Sequence, residues 1–378
     1  IPMLTAVFLF TLSASAIEHP VYPPEFKPEQ VEELKKSVAA AMAMSPAELY
    51  DFVPEQSGIY FCGCPQCDGG TQEHAMVWSL GMGDTVKCKH CGMVFPNDQY
   101  TPNRETTLKA PSGATHTYRW YENDESRQYF YEARAWYEQW EWTRQMAWKL
   151  ANLYALTGER EYADRAAAIV GRYAQVYPDY AIRFDFPFRP VRFWPADRKW
   201  PYDEEIAPFR GAKFYWWGYG DIPKRLALAY DLIAPGDAFE RLEELLGPDI
   251  RERIEQDLVR LGYEFVAANP DSYGNMSPGM YRDMVIAGRV IGDPSMVHEA
   301  VDRTRALVQK QFFADGWWRE CAPSYHWQTI GGLEQVVKAV DGYSDPPGQP
   351  APRLESIDLG QHIPMVGKAR RTGLEGVL

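Results

Sequence analysis

Two segments of the sequence carry side chains that could move a proton or neutralise an acid. Residues 273–282 contain Asn275 and end in Arg282, and residues 313–327 contain Tyr325. An amide or a guanidinium can neutralise a carboxylate, and a tyrosine hydroxyl can donate a proton when a nearby cation lowers its pKa. About 50 residues separate Asn275 from Tyr325, the length of one helix pair. We therefore expect both side chains at the same mouth of a cleft between helices.

Several side chains around these segments could contact a ligand. Arg282 lies two helical turns past Asn275, so it could share that face of a helix and bind a carboxylate. Aromatic rings can stack on the flat face of a sugar, and arginines can pair with its acidic groups. The alternative is that the rings belong to a tryptophan-rich helical core. We predict ligand contacts for Tyr281, Arg282, Trp317, Trp318 and Arg192.

The stretch of residues 181–220 has no helical periodicity and is rich in aromatic residues. It contains more Lys and Arg than Asp and Glu, although the whole chain has a formal net charge of −13. Basic groups interleaved with Phe, Trp and Tyr are typical of a wall that binds an anionic sugar. The alternative is a long loop that packs on the helices through its rings, and the two readings are compatible.

Amphipathic helices separated by short turns make up most of the chain from Gln128 onward. Thr157-Gly158 is a suitable C-terminal cap for the longest of them. There is no strict short repeat, so the helix pairs predict a mainly α fold, an incomplete (α/α) toroid, with residues 120–345 almost wholly helical. The predicted helices span residues 28–44, 129–156, 161–176, 221–234, 239–268, 277–291, 295–313 and 329–340.

The two segments also resemble motifs of the heparinase II/III and alginate lyase superfamily. Those proteins have an Asn, usually followed by His, at the start of an inner toroid helix, and Asn275 is similar in position. Roughly one helix pair later they have an Asp-Gly…Glu…Pro-Ser-Tyr-His pattern. The resemblance covers residues 120–378, and the second pattern is matched by Asp315, Gly316, Glu320, Pro323, Ser324, Tyr325 and His326.

The resemblance implies a polysaccharide lyase that cleaves uronate-containing chains by β-elimination. It implies that Asn275 helps to neutralise the uronate carboxylate, that Tyr325 protonates the leaving glycosidic oxygen, and that His326 belongs to the catalytic group. The chemistry is consistent, because the C5 hydrogen of a uronate becomes acidic only when the carboxylate is neutralised. One residue departs from the pattern, since Met276 stands where the family has His. We also expect the antiparallel β-sandwich of the family, with a further catalytic residue, to lie beyond Leu378, so that this fragment could be inactive alone.

Two other functions fit parts of the sequence. A glycoside hydrolase on an (α/α) toroid needs two carboxylates across the cleft, and Asp283, Asp315 and Glu320 are candidates without an evident pairing. A non-catalytic carbohydrate-binding protein is the other. In that case Asn275 would be the N-cap of the next helix and Tyr325 a core residue.

Four cysteines form two CxxC pairs near the N-terminus. About 20 residues separate the pairs, and each pair can present two thiolates to one tetrahedral ion. The spacing predicts a structural zinc site of the zinc-ribbon type, with no position left for a catalytic water. Disulfides are the alternative for an exported chain. Cys62 could substitute for a ligand or stay free, and the predicted ligands are Cys64, Cys67, Cys88 and Cys91.

The composition and the first residues bear on location and partners. The hydrophobic share of 46% is that of a folded globular protein, and the net charge of −13 argues against general nucleic-acid binding. Residues 1–16 are apolar and end in Ala-Ser-Ala, a cleavage pattern, and no later run is long enough to cross a membrane. We therefore expect a secreted or periplasmic protein that acts on an anionic polysaccharide, with no nucleic-acid or membrane partner. Its expected parts are a signal-peptide remnant (1–16), an N-terminal segment (17–118) with the zinc knuckle at 61–96, and a truncated toroid (119–378).

Overall fold

The computed structural model describes residues 17–67, 75–186, 189–202 and 211–346. The expected signal-peptide remnant and the end of the expected toroid lie outside the described residues. Helices dominate the described chain and the strands are short, so the mainly α prediction is confirmed. No helix in this part of the chain combines the length and the apolar character that a membrane crossing needs.

The described elements begin with three short helices, continue with six strands, and are mostly helical after residue 130. The strands are β1 (Met76–Val77), β2 (Val86–Cys88), β3 (Val94–Phe95), β4 (Arg104–Lys109), β5 (Thr115–Glu122), β6 (Gln128–Tyr129), β7 (Ile182–Phe184) and β8 (Arg192–Trp194). The helices are α1 (Val31–Ser37), α2 (Ala39–Met42), α3 (Pro46–Phe52), α4 (Tyr131–Thr157), α5 (Arg160–Val176), α6 (Lys224–Ile233), α7 (Ala238–Leu246), α8 (Ile250–Arg253), α9 (Leu261–Ala267), α10 (Ser277–Val290), α11 (Pro294–Gln311) and α12 (Pro323–Val340).

The long helices lie in two rows. In the first row α4 packs on α6, α6 on α10, and α10 on α12. Behind them α5 packs on α4 and α6, and α11 packs on α10. Fully buried alanines such as Ala166 and Ala227 keep the side chains between helices small, which allows close axes. The same core continues into α1 and α3 through Leu34 and Leu49.

Most predicted helices are present, and their ends follow the local sequence. Gly158 ends α4 in the left-handed conformation, with φ of 73°, and its N–H bonds to Tyr154 O at 2.8 Å. The predicted single helix 239–268 is wrong, because the chain breaks at Gly247 and Asp249, which flank a proline and both have positive φ. The chain resumes as α8 and continues through a π-helical segment, Ile254–Arg260, into α9.

Between α5 and α6 the prediction that residues 120–345 are almost wholly helical is also wrong. There β7 and β8 pair antiparallel, with Arg183 opposite Phe193. Arg183 is fully buried, and it donates to the carbonyl of Gly58 and, at 3.0 Å, to that of Phe214. An arginine that satisfies several backbone carbonyls can hold an irregular segment in the interior, where a loop without such donors would lose hydrogen bonds.

A hairpin crosses the expected boundary between residues 118 and 119. β4 and β5 pair antiparallel from Arg104 opposite Trp120 to Lys109 opposite Thr115. Because β5 continues to Glu122, the N-terminal segment and the helical part share this strand. The turn at 110–114 closes with the N–H of Ala110 bonded to the carbonyl of Ala114 at 2.9 Å.

The first described residues form a strap over the first row of helices. Asp231 of α6, whose side chain is fully buried, accepts hydrogen bonds from His19 Nδ1 at 2.7 Å and from the N–H groups of Val21 and Tyr22 at 2.8 and 2.9 Å. The Tyr22 hydroxyl donates to the carbonyl of Ala339 in α12 at 2.9 Å. The strap thereby connects two helices that are far apart in the sequence.

Candidate functional site

A cavity of about 350 Å³ opens between α4, the start of α6 and α10. The Trp140 and Phe214 rings form part of its wall, and the guanidinium of Arg144 lies 4.4 Å from the centre of the Trp140 ring. A basic concave site in a chain with a net charge of −13 favours an anionic ligand. Its basic lining residues are Arg144, Lys224, Arg225 and Arg282.

Carboxylates hold the three arginines of this cavity. Arg144 Nε donates to Glu141 Oε2 at 2.8 Å, and a guanidinium nitrogen of Arg225 lies 3.8 Å from Oε1 of the same carboxylate. Arg282 Nε donates to Asp283 Oδ1 at 2.6 Å. A guanidinium has five N–H donors, so each contact fixes the group and leaves donors for a ligand.

Lys224 is the fourth cation and is the first residue of α6. No carboxylate forms an ion pair with its ammonium within the residues that the structure describes. Burial lowers the pKa of Lys224, the Asp283 carboxylate opposes this shift, and the Arg282 guanidinium adds to it. The start of a helix also carries partial positive charge, which strengthens the attraction for an anion.

A buried aspartate shapes the loop that closes one side of the cavity. Asp221 is fully buried and accepts hydrogen bonds from the N–H groups of Lys213, Phe214 and Tyr215 at 2.8, 2.7 and 2.6 Å. Burial raises the pKa of Asp221, against the effect of these three donors. The contacts fix the backbone of Phe214 and Tyr215, which both line the cavity.

The predicted wall at 181–220 is therefore only partly correct. Its aromatic residues Phe214 and Tyr215 line the cavity, but its basic residues Arg183 and Lys213 are buried among protein atoms. Burial lowers the pKa of Lys213 to about 8, and its ammonium lies 5.0 Å from the centre of the Tyr177 ring. The predicted contact residue Arg192 lies in β8 opposite Phe184, outside the cavity lining. Residues 187–188 and 203–210 lie outside the described residues.

The cavity loop is connected to the segment that carries Asn275. The hydroxyl groups of Tyr219 and Ser272 form a hydrogen bond, and the 3₁₀ turn Gly218–Gly220 packs on α10. Arg282 lies two turns along α10 from the Asn275 end, about 10 Å by helix rise. The cavity and the Asn275 segment are thus neighbours along one helix.

Asn275 points toward α12 and does not cap α10. Its Nδ2 donates to Gln328 Oε1 at 3.0 Å, and the amide of Gln328 also lies 3.2 Å from the sulfur of Met276. The N-cap position belongs to Met276, without a side-chain hydrogen bond. The Ser277 hydroxyl braces the helix start instead, because it donates to Asp271 Oδ1 at 2.9 Å. The alternative role of Asn275 as an N-cap is therefore wrong.

Tyr325 lies in the first turn of α12, and 46% of it is exposed. A core position for Tyr325 is thereby excluded. Gln328, the partner of Asn275, follows Tyr325 by three residues on the same helix, and such neighbours have Cβ atoms about 5–6 Å apart. Asn275 and Tyr325 therefore lie at the same end of the α10–α12 pair, and their sharing of one cleft stays a prediction.

Three of the predicted site residues are fully buried: the predicted catalytic residue His326 and the predicted contact residues Trp318 and Tyr281. His326 is fully buried, its Nδ1 accepts the N–H of Trp318 at 3.2 Å, and its ring stacks on Trp317 at 4.3 Å between ring centres. Trp318 is fully buried and donates to Glu320 Oε2 at 2.5 Å. A polysaccharide cannot reach either ring, so both stabilise the turn before α12. Trp317 is half-buried.

Tyr281 is the third of these residues. It is fully buried in α10, and its hydroxyl donates to Asp271 Oδ2 at 2.5 Å. Burial and the Asp271 carboxylate raise the pKa of Tyr281, so it stays protonated. Its role is to fix the segment before α10, which carries Asn275.

The sequence prediction missed three of the four cavity cations. Arg144, Lys224 and Arg225 lie on α4 and α6. These helices are far along the chain from the segments that contain Asn275 and Tyr325. The available signal was weak: a Glu141–Arg144 pair one turn apart, and a Lys-Arg pair directly after Pro223. Such pairs are common on solvated helix faces, so only the packing of α4, α6 and α10 marks them as a site.

The four predicted metal ligands come together beside the small sheet β1–β2–β3, and Cys88 is the last residue of β2. Their sulfur atoms all lie within 4.8 Å of one another. Cys64 Sγ is 3.7 Å from Cys91 Sγ, and Cys67 Sγ is 3.8 Å from Cys88 Sγ. The edge of a tetrahedron with metal–sulfur bonds of about 2.3 Å is about 3.8 Å long, whereas a disulfide requires about 2.05 Å.

The thiols of this cluster have backbone donors, and the fifth cysteine lies apart. Burial favours the neutral thiol of Cys88, but the N–H groups of Cys91 and His90 and the neighbouring thiols lower its pKa to about 7. Cys62 is buried outside the cluster, with its thiol 3.7 Å from the carbonyl of Gly63. The six cysteines, which all lie within the described residues, form no disulfide with one another. The cluster therefore fits a metal ion without Cys62.

Comparison with known proteins adds no family to these observations. No protein-family model matches the chain, and no curated protein matches it significantly. The arguments for function therefore rest on the cavity, on the Asn275–Tyr325 end of α10 and α12, and on the resemblance of the two motifs.

Proposed function

We propose that this protein is a polysaccharide lyase that cleaves uronate-containing chains by β-elimination, and that its two rows of helices form part of an (α/α) toroid. The observation that carries the proposal is the cavity with four basic residues beside the Trp140 ring. Cations attract the uronate carboxylate, and the half-buried ring of Tyr215 in the cavity lining can stack on the sugar face.

Asn275 and Tyr325 are proposed to act where α10 and α12 begin. Asn275 donates to the uronate carboxylate and thereby stabilises the charge that develops when the C5 proton leaves. The further catalytic residue that the resemblance implies acts as the base and takes the C5 proton. As the C4–O4 bond breaks, the electron pair of the C5–H bond forms the C4–C5 double bond, and the Tyr325 hydroxyl gives its proton to O4. Half-exposed Tyr325 can reach a bound chain, which a buried tyrosine could not.

The carboxylates of the chain support elimination over hydrolysis. A glycoside hydrolase needs an acid and a second carboxylate on opposite sides of the sugar. Asp283 lines the cavity but bonds to Arg282, while Asp315 and Glu320 accept hydrogen bonds in the turn before α12. The cavity would also suit a carbohydrate-binding protein without activity. An assay for unsaturated product distinguishes that function from a lyase.

We also propose that the cysteine cluster is a zinc ribbon with one structural zinc ion. Cys64, Cys67, Cys88 and Cys91 fit tetrahedral coordination by their sulfur distances. All four positions would be filled by protein, so the ion would hold β1–β3 together and take no part in the reaction. A secreted or periplasmic location, with the acidic polysaccharide outside the cell, is part of the same proposal.

The direct test is to add polyuronates, with and without sulfate, and to follow ultraviolet absorbance. Elimination creates a double bond conjugated with the carboxylate, which absorbs, whereas hydrolysis and binding create none. Growth of absorbance that is proportional to enzyme concentration supports the lyase. New reducing ends without absorbance would indicate a hydrolase, and binding without either would indicate a non-catalytic protein.

A further inference from the structure

We infer that Lys224 binds a carboxylate of the substrate chain inside the cavity, on a different sugar from the uronate on which Asn275 is proposed to act. The inference rests on the proposed function, because it names a second group that recognises the acidic polysaccharide. Lys224 lines the cavity together with Arg144, Arg225 and Arg282.

The charges around Lys224 distinguish it from the other cations of the cavity. Arg144 and Arg225 lie against Glu141, and Arg282 lies against Asp283. In the described part of the chain Lys224 has no such carboxylate partner. A carboxylate ligand would therefore form the first ion pair of this ammonium without displacing a protein group.

Charged groups of α6, of α10 and of the segment before α1 act on this ammonium. Arg225 follows it on α6, Arg282 and Asp283 face it from α10, and Glu25 of the N-terminal strap acts from further away. Glu25 itself is occupied, since it accepts a hydrogen bond from Trp148 Nε1 at 2.7 Å. The two arginines repel the ammonium, so a bound anion would relieve repulsion as well as add an attraction.

The test measures the binding of two ligands to wild-type protein and to one variant. Titration calorimetry measures the binding of an unsulfated oligouronate and of the same oligosaccharide with its carboxylates reduced to alcohols, to wild-type protein and to Lys224→Met. Methionine keeps an unbranched stem and removes the charge. Lys338→Met, at an exposed lysine in the last turn of α12, is the control for losing one charge.

We expect Lys224→Met to weaken binding of the oligouronate about 10- to 100-fold, the usual loss for a charge-assisted hydrogen bond. Binding of the reduced ligand should be equal for wild type and variant, and Lys338→Met should match wild type with both. An equal loss for both ligands, or no loss for either, overturns the inference. If the expected pattern appears but wild type releases no unsaturated product, the inference stands and the lyase reaction is wrong. If product forms and Lys224→Met binds and turns over like wild type, the lyase stands and the inference is wrong.

Discussion

Asn275 Nδ2 donates a hydrogen bond of 3.0 Å to Oε1 of Gln328, which joins the start of α10 to the second turn of α12. This pair gives the first prediction. If Asn275 binds the substrate carboxylate, Asn275→Ala should lower turnover about 10²–10³-fold, the usual cost of losing one such donor. Gln328→Ala removes the brace and leaves the amide of Asn275 in place, so it should have a much smaller effect. Turnover rates of both variants decide the matter, and equal losses would mean that Asn275 only connects the helices.

Tyr325 gives the second prediction. Tyr325→Phe should lower turnover about 10²–10⁴-fold, because it removes the proposed acid. The melting temperature should not change, since the exposed hydroxyl makes no hydrogen bond within the described residues. Tyr281→Phe is the matched comparison, because that hydroxyl is buried and bonds to Asp271. It should lower the melting temperature, and a similar melting loss in Tyr325→Phe would count against a catalytic role.

The cysteine cluster gives the third prediction. Elemental analysis should find one zinc per chain in wild type and in Cys321→Ser, which changes an exposed cysteine outside the cluster. Cys88→Ser should contain no zinc and should lose roughly 3 kcal/mol or more of unfolding free energy, as is usual when a structural metal is lost. Wild-type protein without metal, with these cysteines oxidised in pairs, would favour the disulfide alternative.

Two glycines give the fourth prediction. A Cβ on Gly58 would lie 2.7 Å from the Cβ of Tyr137 and closer still to its backbone, so Gly58→Ala must separate this segment from α4. We expect a loss of about 3 kcal/mol, at the upper end of single substitutions. Gly279 in α10 has open space around it, and Gly279→Ala should stabilise the helix by about 0.5–1 kcal/mol. Denaturant unfolding of both variants provides the comparison.

Lys213 gives the fifth prediction, on pH dependence. Burial lowers its pKa from 10.5 to about 8, so between these values the unfolded chain binds the extra proton. The contribution of Lys213 therefore makes the free energy of unfolding rise between about pH 8 and pH 10.5. Below pH 8 the buried positive charge of Lys213 lowers the free energy of unfolding. Lys213→Met should remove that rise and increase stability at neutral pH by up to about 3 kcal/mol. Unfolding curves at pH 7 and pH 10 test it, and a decrease in stability at pH 7 would mean that the rings around the ammonium outweigh its burial.

The helices could be predicted where the chain carries local signals. Gly158 needs a left-handed backbone and ends α4 as expected, and the start of α10 follows from Ser277 and Pro278. The break at 247–249 was readable in principle, since Pro248 cannot continue a helix, but the apolar periodicity on both sides hid it. The β4–β5 hairpin was missed because its strands are half-polar and β4 is largely exposed.

The site was harder to predict than the helices, because it is made of residues that only packing brings together. The Asn275 and Tyr325 motifs lie at one end of neighbouring helices as expected, but the histidine beside Tyr325 faces the interior. Adjacent residues on a helix point about 100° apart, so a motif in the sequence cannot place all of its members in one cleft. The role of Arg144, Lys224 and Arg225 as cavity residues depends on how α4 and α6 pack with α10, which the sequence does not reveal.

The strap from His19 to Tyr22 has a consequence for the order of folding. Asp231 is 212 residues from His19, and Ala339 is 317 residues from Tyr22. Contacts of this separation form late, since a long loop must close before they stabilise anything. The strap therefore waits for α12, which is synthesised 317 residues after Tyr22 at the Ala339 contact, before the Tyr22 hydrogen bond can form. A chain cut between α11 and α12 should keep its cysteine sheet but leave this end of the strap unattached.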